Sequence, residues 1–183
     1  TYAKAANYAR QNGVTLIASA GNEETDYDKT DSLMHLPSGL PAVLSISATG
    51  PVGWGKDANV NLDNRAIYTN YGQSAIDFAA PGGDYTSAFL PGGFDTCTVG
   101  GASAVCYAFD FVYSTGGTGG WYWSVGTSMA APHASGVAAL IVGANGGDMS
   151  PAHVERELRR WADDLGKPGN DDTYGAGRVK APH

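Results

Sequence analysis

Apolar residues along this chain fall into short continuous runs separated by polar, glycine-rich stretches. Between Tyr2 and Asn12, Ala3, Ala5, Ala6 and Ala9 stand among polar side chains and Gly13 follows, which predicts a helix with a glycine stop. Val14-Thr15-Leu16-Ile17-Ala18 is a continuous run of the kind a buried parallel strand shows. Ala42 to Ala48 is predicted as a second strand, and Ala75 to Ala80, closed by Pro81-Gly82-Gly83, as a third. A helix feeding successive buried strands implies an α/β fold with a mostly parallel sheet.

Met129 to Val142 is apolar on nearly every side, which predicts a helix buried all round at the domain centre. Ser150-Pro151 opens a second, amphipathic helix, with serine as N-cap, proline in the first turn and Val154, Leu158 and Trp161 on one face; Gly166-Lys167-Pro168-Gly169 is read as its end. The polar stretch from Thr49 to Tyr71 is turn-rich. Residues 84–120 hold both cysteines, clustered glycines and the aromatics Tyr107, Phe109, Phe111 and Tyr113, and read as an insertion containing a β-hairpin. No internal repeat or interdomain linker interrupts the pattern.

With 183 residues the chain is sized for one domain or part of one, and 26 glycines imply many turns. A formal charge of −7 excludes a phosphate-binding field, so nucleic acid is not an expected partner. No run of 18 apolar residues is present for a membrane span, and Thr1-Tyr2-Ala3-Lys4 lacks the apolar core of a signal peptide. Cys97 and Cys106 lack the Cys and His companions of a zinc site, so a disulfide and a secreted protein are expected.

Gly126-Thr127-Ser128-Met129-Ala130-Ala131-Pro132-His133 places a hydroxyl residue where a glycine-flexed loop enters the apolar helix. A serine there can meet a substrate while the helix N-terminus lends positive potential to a developing oxyanion, although an isolated serine at a helix start serves as an N-cap. The whole string from Gly126 to Gly136 resembles the nucleophile segment of the subtilisin-like serine proteases. Ala18-Ser19-Ala20-Gly21-Asn22-Glu23 is similar to that family's strand end with its oxyanion asparagine. Leu36-Pro37 through Val43 resembles the loop beside the primary specificity pocket, where the first proline is often cis. Tyr68 to Gly72, Ile76 to Gly83 and Tyr174 to Val179 also have counterparts in the expected order.

The resemblance implies the three-layer αβα fold of those proteases, present as the C-terminal part of the catalytic domain. It implies serine endopeptidase chemistry on a polypeptide substrate, with Ser128 as nucleophile and Asn22 as oxyanion donor. Ser19, Ala20, Gly21, His35 and Thr127 are the implied substrate-binding residues. The family's aspartate and histidine motifs precede its oxyanion asparagine, and neither occurs within these residues; His35 comes after Asn22. The expectation is a segment inactive by itself that pairs with the N-terminal part of such a domain or with itself. On one helix His133 stands about 7.5 Å along the axis from Ser128 and about 140° around it, too far for a hydrogen bond, so it is read as structural. His153 and His183 carry no motif.

No cofactor is required by this chemistry. Asp26, Asp28 and Asp31 are spaced like oxygen ligands for a structural calcium ion, but the spacing lacks the glycine and closing glutamate of an EF-hand, and solvated charge is the default. Trp121-Tyr122-Trp123 is read as core or as a wall of a substrate groove. Two competing readings are a non-catalytic binding domain that kept the scaffold and an α/β-hydrolase-type esterase. The second fits poorly, because Ala130 replaces the final glycine of Gly-x-Ser-x-Gly and helices follow the serine.

Overall fold

The computed structural model describes residues 1–30, 33–117 and 119–182. Helix α1 (Tyr2–Gln11) leads into β1 (Leu16–Ser19), and β2 (Val43–Gly50), β3 (Asn64–Arg65) and β4 (Phe78–Pro81) complete the main sheet. β2 pairs in parallel with β1 and β4, while the short β3 runs antiparallel to its end. Because side chains alternate along a strand, β2 serves two cores. Leu44, Ile46 and Ala48 pack with Phe78 and Ala80 against α2 (Thr127–Ala144) and α3 (Pro151–Trp161), whereas Val43 packs with Leu16, Ala18 and Ala6 of α1. The result is three layers, helix on sheet on helices.

The elements stand near their predicted positions, with instructive shifts. The third strand begins at Phe78 because Ala75 and Ile76 donate back to the Gly72 carbonyl and are held in a turn. β1 is half-buried along its length instead of fully buried, since β2 is its one strand partner among the described residues. Nor is α2 buried all round: Pro132, His133, Ser135 and Ala139 are exposed, and Leu140 retains 58% of its surface. A uniformly apolar composition carries no periodicity to say which side of a helix meets the sheet. In α3, Ser150 caps the helix by accepting from the His153 N–H at 3.3 Å, and Val154 and Leu158 are buried, as predicted. The helix ends at Trp161, earlier than expected, where Asp163 and Arg178 exchange backbone hydrogen bonds and turn the chain back toward the sheet.

The expected insertion at residues 84–120 holds one whole hairpin, β5 (Thr96–Val99) with β6 (Ala102–Val105), and the first strand of a second, β7 (Val112–Thr115), whose partner β8 (Trp121–Ser124) lies just beyond it. The first sits on a neck whose base is the Asp84 N–H donating to the Asp110 carbonyl at 3.0 Å. The buried Asp110 carboxylate is satisfied by the N–H groups of Gly53 and Trp54, both at 2.8 Å, and by the Ser87 hydroxyl. A disulfide joins Cys97 to Cys106 across this hairpin. Closing so short a loop restricts the unfolded chain, so replacing both cysteines by serine is expected to destabilise the hairpin by about 2–3 kcal/mol. Faster hydrogen exchange confined to residues 96–106 would register that loss, and unchanged exchange would contradict it.

Candidate active site

β1 delivers the chain to Ser19, Ala20 and Gly21, and Asn22 follows at the carboxyl end of the parallel sheet, where α/β folds place ligands. Gly21 has φ +101°, and a Cβ there would collide with the side chains of Asn70, Glu23 and His35. Its buried N–H donates at 3.2 Å to the Thr127 hydroxyl, 106 positions along the chain. Thr127 is fully buried. Its hydroxyl donates to Asn22 Oδ1 at 2.8 Å, and its backbone N–H donates to the same oxygen at 2.9 Å. A backbone N–H can only donate, so the carboxamide is oriented without ambiguity: oxygen toward Thr127, N–H groups away from it.

Ser128 is the next residue, exposed in the first turn of α2, and no described side chain hydrogen-bonds its hydroxyl. Its backbone N–H belongs to the unsatisfied first turn and points into the positive end of the helix dipole. Gly126, with φ +149°, shows how close the two donors come. A Cβ built there would lie 3.6 Å from Asn22 Nδ2 and 3.7 Å from the Ser128 nitrogen, so both border one small space that only glycine leaves open. Gly126→Ala is therefore expected to fill this space and strain the backbone, lowering stability by about 1–3 kcal/mol; a thermal melt unchanged from that of the parent chain would contradict this.

Two supports were not singled out in the sequence, although both lie in the string Tyr68 to Gly72. Asn70 is fully buried and braces the turn carrying Asn22. Its Oδ1 accepts from the N–H groups of Glu23 at 3.1 Å and Thr25 at 2.9 Å, and its Nδ2 donates to the Ala20 carbonyl at 2.8 Å and the Glu23 carboxylate at 2.6 Å. The Tyr68 hydroxyl donates to the carbonyls of Gly82 at 3.0 Å and Gly83 at 2.7 Å, and the Gly82 carbonyl also receives the Gly126 N–H at 3.0 Å. Burial, reinforced by the charge of Asp84, pushes the Tyr68 phenol far above its ordinary range and keeps it a donor. No local pattern distinguishes these two residues from ordinary core positions.

His35 is half-buried against Gly21, with Nδ1 2.9 Å from the Ser38 hydroxyl, in the loop that contains a cis Leu36–Pro37 peptide. Behind it lies a cavity of about 140 Å³ lined by Ala20, Tyr27, Met34 and Ile76. His133 spends Nδ1 on the Met129 carbonyl, 2.8 Å away and one turn back, and so does not serve Ser128. His153 faces Glu157 on α3, and His183 lies outside the described residues.

Two of the three aspartates spaced like oxygen ligands have partners within the chain. Asp26 pairs with Lys29 at 2.7 Å, while Asp28 accepts from Ser74 and Gln73, with the Ser74 hydroxyl chiefly holding its carboxyl below the usual range. Asp31 lies outside the described residues, and among those described no cluster of three or more His, Cys, Asp or Glu is placed to hold a metal. Trp121 and Tyr122 are exposed on β8, with Trp121 stacked on Tyr113, so the aromatic triplet lies on the surface hairpin and does not join the core under α2.

A three-layer α/β fold with an asparagine at a strand end and a serine at a helix entry, joined through one buried threonine, defines the class of scaffold. The chain belongs to the subtilase family, which it matches over residues 1–177. It is 31% identical over 182 residues to an extracellular protease of Xanthomonas campestris pv. campestris, covering 99% of this chain and 25% of that protein. It is also 35% identical over 132 residues to an extracellular basic protease of Dichelobacter nodosus, covering 72% of this chain and 16% of that one. A crystal structure of a lanthipeptide protease superposes with a TM-score of 0.71 at 33% identity, covering 97% of this chain and 52% of the other. The chain thus spans about a quarter or less of these two extracellular relatives and about half of the solved neighbour.

Proposed function

We propose that these residues carry the nucleophile and oxyanion side of a secreted serine endopeptidase. Ser128 attacks the carbonyl carbon of a peptide bond, and its proton passes to a base supplied by residues outside this segment. The resulting tetrahedral oxyanion accepts hydrogen bonds from Asn22 Nδ2 and the Ser128 N–H. Collapse then breaks the C–N bond as the same base returns its proton to the leaving nitrogen, which releases the amine and leaves an acyl-enzyme for water to hydrolyse. The observation that carries this reading is the double hydrogen bond from Thr127 to Asn22 Oδ1, which frees the amide N–H groups beside the serine. Of the residues expected to line a substrate, Ser19 is half-buried at the strand end and borders the path of a polypeptide, whereas Ala20, Gly21 and Thr127 are buried and back that path from behind without touching it; His35 borders the pocket for the residue preceding the cut bond. The disulfide and the names of the extracellular relatives support secretion.

A serine without a base is a weak nucleophile, so negligible proteolysis is expected from the segment alone. The reading is tested by assembling the chain with the N-terminal remainder of a subtilase domain, adding a fluorophosphonate probe and mapping the adduct by mass spectrometry. Labelling at Ser128 in the assembly, and not in the isolated chain, is the expected result. A folded assembly that remains unlabelled would overturn it.

A further inference from the structure

Thr49, near the end of β2, is 1% exposed, and its hydroxyl is the one buried side-chain polar atom among the described residues without a hydrogen-bond partner. Native structures satisfy buried hydroxyls with protein, water or a ligand. Side chains alternate along a strand, so Ala48 joins the core under α2 and Thr49 faces the other way, on the side of Pro81, its partner in register on β4. Both residues border a cavity of about 240 Å³, several times the ~30 Å³ that one water occupies in the liquid. Its further walls include Pro51, Leu62, Phe111 and Val112, and Leu62 leaves 51% of its surface exposed. Gly83 packs directly on two of these walls: a Cβ there would come within 3.0 Å of the Phe111 Cα and 3.2 Å of the Val112 nitrogen, so the fold holds the cavity preformed.

The charges that border this space are already spent. Arg178 bridges Asp63 at 2.6 Å and Asp163 at 2.5 Å, and the Asp110 carboxylate is held by Gly53, Trp54 and Ser87. An ionic ligand finds no uncompensated partner there, whereas the Thr49 hydroxyl can both donate and accept. We infer that the cavity binds an uncharged aromatic ring bearing one hydroxyl, a phenol of the size of a tyrosine side chain. The ring lies against Pro51, Pro81 and Phe111, and its hydroxyl bonds to Thr49. A rigid ring covers apolar surface with little loss of rotamer freedom, which favours it over an alkyl chain of equal area. The inference does not depend on the function proposed above. Such a phenol can arrive as a free small molecule or as a tyrosine within a polypeptide.

The test titrates the chain with p-cresol and follows amide shifts by two-dimensional NMR. Saturable shifts at Gly50, Gly83 and Val112 are expected, with a Kd of about a millimolar, as suits so small a ligand. Thr49→Val removes the hydroxyl at nearly constant shape and is expected to weaken p-cresol by about fivefold or more, the scale of one hydrogen bond, while toluene binds both chains alike. Thr49→Ser restores a hydroxyl and is expected to recover p-cresol binding. The melting temperature of Thr49→Val should not fall; a fall would show the hydroxyl already satisfied and overturn the inference. N-acetyltyrosinamide separates the two sources: binding at least as tight as that of p-cresol assigns the site to tyrosine within a polypeptide, and weaker binding assigns it to a free phenol. Absence of saturable p-cresol binding, shifts that bypass these amides, equal p-cresol affinity in parent and Thr49→Val, or a crystal of the mixture with only water on Thr49 would each overturn the inference.

Discussion

Ser128→Ala in the assembled enzyme is expected to lower kcat by about 10⁶-fold, the scale known for the nucleophile of subtilisin, a member of this family. On the proposed function the hydroxyl supplies the bond-forming atom, and no described side chain near it offers a substitute: His133 is tied to its own helix and His35 lies beyond Gly21. KM should change little, since the small side chain adds few contacts to a bound polypeptide. Steady-state kinetics on a chromogenic peptide measures both, and a variant retaining a tenth of the activity would assign the chemistry elsewhere.

Asn22→Leu is expected to lower kcat by about 10²–10³-fold, again the scale of subtilisin's own oxyanion asparagine, with KM nearly constant. The reason lies in timing: the oxygen gains its negative charge only as the tetrahedral state forms, so a donor aimed at it favours the transition state over the bound substrate. Leucine also strands the Thr127 N–H and hydroxyl, which would cost about 1–3 kcal/mol of stability. Asn22→Asp separates these effects. It keeps an oxygen for Thr127 but replaces the donors with a charge that repels the oxyanion, so kcat should fall at least as far while the fold is retained. A rise in KM at constant kcat in either variant would make Asn22 a substrate-binding residue and refute the oxyanion role.

Much of this architecture was legible from the order of residues. The helix before β1, the run that became β2 and the capped α3 follow from periodicity and end signals, because each is decided by local chemistry. The pairing of Asn22 with the Ser128 loop could be anticipated only through family resemblance, since nothing local links positions about a hundred residues apart. Other features were beyond reach for a physical reason. Asn70 and Tyr68 act through backbone carbonyls and amides that folding brings to them, and backbone partners leave no mark in a side-chain pattern. The exposure of one side of α2 departs from the expectation of a helix buried all round, because a uniformly apolar composition carries no periodicity that says which side meets the sheet. Asp26 and Asp28 share a ligand-like spacing, and in the fold one pairs with Lys29 and the other accepts from Ser74.

The hydrogen bonds at Thr127 bind a residue near the beginning of the chain to one more than a hundred positions later. Contacts of such sequence separation form late, because loop closure must precede them. On the proposed function, a partly folded chain has no organised oxyanion donors beside its serine until the native topology is reached. The connectivity of the chain thus ties the order of folding to the order in which the proposed site is assembled.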